Sequence, residues 1–191
     1  MRGIVGICGT PGTGKKTVAP VVASLLGLPL PVSLSSLVRK GEEEVDTRAL
    51  RGRLLKLDPG RAVVFGHLLP HVLNRSEVSM VAVLRCDPAV LRERLAERGY
   101  PSAKLSGNVE AELIGVVLDE CVKTFGGDRI REYDTTSASP EKVAAAIARD
   151  ARKAPAAPGR REAWIDWTLD YDSSIKLRSL LGGKSDPPAS T

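Results

Sequence analysis

Glutamine is absent from these 191 residues, and asparagine occurs only twice, at Asn74 and Asn108. With 13 prolines, this composition leans toward a thermophilic source, where labile amides are few and loops are stiffened. Cysteine is scarce as well. Cys8, Cys86 and Cys121 are widely spaced and odd in number, which excludes a disulfide framework and a zinc ligand pattern and fits a reducing compartment. There is no membrane-length apolar run. The longest uncharged stretch, Thr17–Val38, carries Pro20, Gly27, Pro29, Pro31 and four serines, so it reads as a buried helix followed by a strand. The opening MRGIVGICG lacks the apolar core and cleavage site of a signal peptide, so the expected location is the cytoplasm.

What is present is a globular composition, 42% hydrophobic and 27% charged, enough for one domain with a sizeable core and a modest appendage. The net charge is +5, with 18 Arg against 10 Lys. Arg suits bidentate phosphate contacts, so the excess is compatible with nucleotides, RNA or RNA-bound partners, and equally with an Arg-rich proteome. The basic residues are scattered rather than clustered, which leaves RNA contact undecided.

Short β-branched runs alternate with helical patterns. Arg2–Cys8, Leu28–Val32, Arg61–Gly66, Ser79–Arg85 and Arg129–Tyr133 read as strands. Lys15–Leu26, Ser33–Lys40, Thr47–Leu57, Ala89–Arg98, Val109–Thr124 and Pro140–Lys153 read as helices, with a loop at Tyr100–Ser106. This alternation predicts an α/β fold, a five-stranded parallel sheet with helices on both faces. From Ala154 the composition shifts to a linker, APAAPGRR, then a segment holding Trp164, Trp167 and Tyr171, then a frayed tail, GGKSDPPAST. The Trp segment either packs back on its own domain or docks a partner.

The strongest motif is Gly9-Thr10-Pro11-Gly12-Thr13-Gly14-Lys15-Lys16-Thr17, between the first strand and the first helix. It follows GxxxxGK(S/T), a loop whose backbone N–H groups and lysine cradle nucleotide phosphates. Glycines let the backbone close around the oxygens, and the helix adds its positive dipole end. One position departs: Lys16 stands where a hydroxyl normally binds magnesium, and the hydroxyl comes one step later, at Thr17.

Together GTPGTGKKT, the FGH of Phe65-Gly66-His67, LRCDPAVLRERLAERGY at 84–100 and KLSGNVEAE at 104–112 resemble one family. It is the adenylate-kinase-like ribosome-assembly ATPases, which include the coilin-interacting nuclear ATPase and archaeal homologues. The likeness spans roughly residues 1–150. It implies a P-loop nucleoside-monophosphate-kinase fold over 1–153, with a monophosphate-binding insert at 33–57, a short lid at 98–108 and an extension at 154–191. The implied activity is ATP + AMP to 2 ADP with slow ATP hydrolysis, using Mg2+ with ATP. A small-subunit platform ribosomal protein is the implied partner.

The resemblance also assigns roles. Residues Gly9 to Thr17 and Lys15 bind the nucleotide, Thr17 holds the metal through water, and Arg39 holds the AMP phosphate. Arg94 and Arg98, four apart on one helix, grip the polyphosphate, and His67 takes part in hydrolysis. Lys104 and Asn108 are candidates for phosphate or capping contacts, and the backbone of Asp134-Thr135 for adenine. Where the family carries an acidic residue two before the histidine, this chain has Phe65, with Asp87 as the nearest substitute in sequence. A metabolic monophosphate kinase and a catalytically weak, nucleotide-gated binding module are the competing readings.

Overall fold

The computed structural model describes residues 3–39, 45–153, 164–171, 176–177 and 180. The linker and tail expected beyond Ala154, and the end of the helix expected at Lys40, lie outside the described residues.

Five strands form one sheet in the order β2-β3-β1-β4-β5, and every pair is parallel. β1 (Ile4–Cys8) is central, between β3 (Val63–Phe65) and β4 (Val78–Arg85). All three are buried along their whole length, which is why they read as unbroken apolar runs rather than alternating ones. β2 (Val32–Ser33) and β5 (Ile130–Asp134) are the edges.

Helices cover both faces. On one, α1 (Lys15–Leu26) and α7 (Pro140–Lys153) bury Val18, Val22, Val143 and Ile147 against Val5, Ile7 and Met80. On the other, α2 (Thr47–Leu55), α3 (Leu69–Val72) and α6 (Val116–Phe125) bring Leu50, Leu54, Leu69 and Phe125 onto Ile4, Val64 and Val81. A third cluster joins α4 (Pro88–Glu97) and α5 (Ser102–Leu113) to Trp167 and Leu180, so the Trp segment packs back on its own domain. No helix among the described residues is long and apolar enough to cross a membrane.

α1 and α7 run over the spans that their apolar spacing predicts. Two expected helices differ. Ser33–Lys40 forms only a 3-10 turn at Leu34–Leu37, because Ser36 donates to the Ser33 carbonyl and the Ser33 and Ser35 hydroxyls pair, competing with helical bonding. The helix expected over Val109–Thr124 is split at Gly115, whose φ of +70° ends one helix and opens the next. The expected loop at Tyr100–Ser106 is largely the first turn of α5, entered through Pro101.

Candidate functional site

The strand order reverses on either side of β1, and the crevice outside the carboxyl ends of such strands is where α/β sheets bind ligands. A cleft of about 860 Å3 opens there. The loop after β1 forms its floor. In that loop Gly9 (φ +137°) and Gly12 (φ +98°) have no room for a side chain: a Cβ on Gly12 would stand 2.5 Å from Leu91 Cδ1, and one on Gly9 would run into the Leu84 carbonyl. The loop is held from inside as well, because the Thr13 hydroxyl donates to the Thr10 carbonyl at 2.9 Å.

Lys15 opens α1 and is half-buried, its Nζ donating to the carbonyls of Gly9 (2.5 Å) and Thr10 (2.9 Å). Burial lowers its pKa to about 8, and the Arg98 guanidinium pushes the same way against Cys8 and Glu112. An ammonium poised so close to neutrality gains most from an arriving polyanion. Lys16 and Thr17 are exposed and line the cleft, with Thr10, Pro11, Gly12, Gly14 and Lys15.

The opposite wall combines Ser33, Leu34, Ser35, Val38 and Val45 with Val116, Val117 and Glu120 of α6. His67 follows β3 and faces the cleft. Desolvation, reinforced by Lys15, His71 and Lys104, holds its imidazole below the usual range, so it is neutral at physiological pH. The corner after α4 contributes Arg98 and Tyr100, and α5 contributes Lys104 and Asn108. Lys104 lies over the Tyr100 ring at 5.3 Å, and Asn108 Nδ2 donates to the Lys104 carbonyl at 2.6 Å, which makes it a bond within the helix.

Thus most of the expected site residues share one cleft, but not all. Arg94 is not among its lining residues. Its guanidinium donates to the carbonyls of Thr135 (2.8 Å) and Thr136 (3.0 Å), so it braces the loop after β5. Arg98, the C-cap of α4, does line the cleft. That same loop is tied to the floor, since the Thr135 hydroxyl lies 3.2 Å from the Thr13 carbonyl. Arg39 is exposed and stands one residue beyond Val38, outside the cleft lining. Asp87 is no substitute for a carboxylate at position 65. Its Oδ1 caps α4 through Ala89 N (2.8 Å) and Val90 N (3.3 Å) and accepts from the Tyr171 hydroxyl at 2.9 Å, away from the cleft.

Three residues had no assigned role in the sequence. His71 and Glu120 both line the cleft and pair at 3.4 Å, and Glu120 is the one carboxylate among the described residues that line it. Glu112, 2% exposed, lies behind the floor and accepts from the Thr10 hydroxyl at 2.5 Å. Its signal is legible in retrospect: a carboxylate on the face of α5 that otherwise presents Leu105, Val109 and Leu113 to the interior.

Among the described residues no cluster of His, Cys, Asp and Glu forms a metal cage. Thr17, exposed in the first turn of α1 and lining the cleft, offers a hydroxyl oxygen of the kind that would hold a Mg2+ arriving on a triphosphate with most of its waters kept.

Residues 5–115 match the family model described as an AAA domain. A protein of Natronomonas pharaonis named "Putative adenylate kinase" is 39% identical over 80% of this chain and 93% of its own length. A Thermococcus kodakarensis protein of the same name is 35% identical over 93% of this chain and 99% of its own. In fold, the chain resembles the YorR protein of Bacillus subtilis, solved in complex with phosphorylated GDP, with a TM-score of 0.56, 16% identity, and coverage of 78% of this chain and 96% of that one.

Proposed function

The chain belongs to this AAA-domain family, together with the archaeal proteins named for adenylate kinase, and from that premise we propose that it transfers the terminal phosphoryl group of ATP to AMP, giving two ADP. One observation carries the reading: a glycine-lined phosphate loop with a desolvated lysine, a second cation at Arg98 and an apolar wall opposite share a single cleft. Phosphoryl transfer asks for positioning and positive charge more than for covalent help. Lys15 meets the terminal phosphates, and the N–H groups at the start of α1 meet the rest. Arg98 closes from the corner after α4, and Arg94 positions the adenine-facing loop after β5. Arg39 takes the acceptor phosphate when the insert folds inward, and the apolar wall of Leu34, Val38, Val45 and Val117 suits the acceptor base. His67 orients water in a slow hydrolysis when no acceptor is bound.

Thr17 and water would hold Mg2+ on the ATP, where it neutralises charge building on the transferring group. With Phe65 in place of a carboxylate, the chain contributes less to holding that ion. This favours one second reading, a nucleotide-gated binding module with little turnover. The family resemblance further supports a cytoplasmic role in small ribosomal subunit maturation, through a platform ribosomal protein. Co-purification of that protein from native lysate supports the role, and its absence removes it.

The test is ADP formation by purified protein with ATP and Mg2+, with and without AMP. A rise on adding AMP is expected. Phosphate release that ignores AMP replaces the kinase by an ATPase, and binding without product leaves the gated module.

A further inference from the structure

Behind the phosphate loop lies a buried ionic network that the loop chemistry does not explain. Arg85, at the end of β4, is 2% exposed and lies between two carboxylates. It donates from Nε to Glu112 Oε1 at 2.7 Å and from Nη1 to Glu132 Oε1 at 2.6 Å. Glu112 also accepts from the Cys86 backbone N–H at 3.1 Å, and its other oxygen takes the Thr10 hydroxyl at 2.5 Å. One cation against two buried carboxylates is an unusual arrangement to maintain. Charges in the interior persist only where every lone pair is satisfied.

The remaining partners come from the Trp segment. Ile165 donates its N–H to Glu132 Oε2 at 3.0 Å and accepts from Arg85 Nη1 at 3.1 Å. The Trp167 indole N–H reaches Glu112 Oε1 at 3.4 Å, with its ring sealed at 9% exposure. Tyr171 donates to Asp87, the cap of α4, at 2.9 Å. Three contacts, from Ile165 and Trp167, therefore tie the segment to the backing of the phosphate loop, and Tyr171 anchors its end to α4. Among the described residues no buried side-chain polar atom is left without a partner.

We propose that Glu112 is a positioning residue that fixes Thr10 of the phosphate loop, and that the segment Trp164–Tyr171 belongs to the nucleotide site, holding Glu112 from behind. Thr10 lines the cleft on one side and bonds the buried carboxylate on the other, so the loop and the Trp segment share one carboxylate. Nucleotide seated on the loop acts on the indole through Glu112, and loss of the segment loosens the loop. The inference rests on the reading of this cleft as the ATP site.

The test uses the full chain in a Trp164→Phe background, so that Trp167 is the sole indole. ATP titrated into this protein should shift the Trp167 emission. Thr10→Val, which removes the hydroxyl, should weaken ATP binding roughly tenfold and abolish the shift, while Thr10→Ser restores both. A Thr10→Val protein that is folded and binds ATP as the parent does overturns the proposal. So does an emission unmoved by saturating ATP, a measurement that needs no variant at Thr10. A parent that binds no ATP at all removes the kinase reading and this inference together.

Discussion

The two walls of the cleft are built on opposite principles. The phosphate-loop side is anchored in the interior: Thr10 and Thr13 are buried, and behind them Arg85, Glu112 and Glu132 form a charged network sealed from water. The other side rests on a two-residue edge strand, a 3-10 turn, α3 and α6, and although Leu34 is buried beneath it, the Ser33, Ser35 and Ser36 hydroxyl contacts are made in solvent. Its His71–Glu120 pair is nearly half exposed, at 45% and 36%. On the proposed function, a loop that cradles the same phosphates in every cycle gains from being immobile, since pre-ordered dipoles cost nothing to reorganise. On the same reading, a wall that admits one substrate and releases another gains from being loosely held.

That contrast can be broken most forcefully at Arg85. Replacing it by Met leaves two buried carboxylates facing one another without a cation. The expected loss is about 3–5 kcal/mol of stability, measured by urea unfolding. A loss as small as that of a surface substitution would mean that water reaches the network, and the contrast between the walls would collapse.

The pH dependence of ATP binding sharpens it at smaller scale. Lys15 has its pKa lowered to about 8 in the folded protein, so the unfolded chain binds the proton more tightly. Its contribution to stability therefore rises with pH, from about 8 up to the ordinary lysine value. Phosphate wants the protonated form, so affinity runs the other way: flat below pH 8, then falling by up to tenfold per pH unit. Titrations from about pH 7 to 9.5 should trace this bend, and Lys15→Arg should remove it because guanidinium stays charged throughout the range. A bend that persists in Lys15→Arg assigns it to another group.

The smallest effect is expected on the open wall. Glu120→Gln removes a pair that is half in solvent, and unfolding should shift by no more than about 0.5 kcal/mol. A larger shift in chemical denaturation would mean that α3 and α6 depend on this pair and that the acceptor wall is more rigid than its exposure indicates.

How far this architecture is legible in the sequence differs by element. α1 and α7 were readable to the residue because their apolar spacing agrees with their packing: Val18 and Val22 on one, Val143 and Ile147 on the other, face the same core. In the insert, α2 was readable but the helix expected over Ser33–Lys40 was not, because local hydroxyl bonds from Ser33 to Ser36 outweigh a helical pattern only a few residues long. Gly115 divides two helices whose apolar periodicities run on across it, so their spacing hides the break. The spacing of Arg94 and Arg98 puts both on one helical face, but only the fold supplies the Thr135 and Thr136 carbonyls that take the first guanidinium, while the second lines the cleft.

The sequence by itself determined the phosphate loop, the parallel sheet and the order of the elements. These depend on contiguous residues: glycines that permit a backbone turn, and apolar runs that must be covered on both faces. Only the tertiary structure decided what stands behind the loop. Thr10 and Glu112 are 102 residues apart, and Arg85 and Ile165 are 80 apart. Each partner taken singly is an ordinary polar residue. Burial is what makes them a set, since a charge removed from water must find its counterparts wherever the fold brings them.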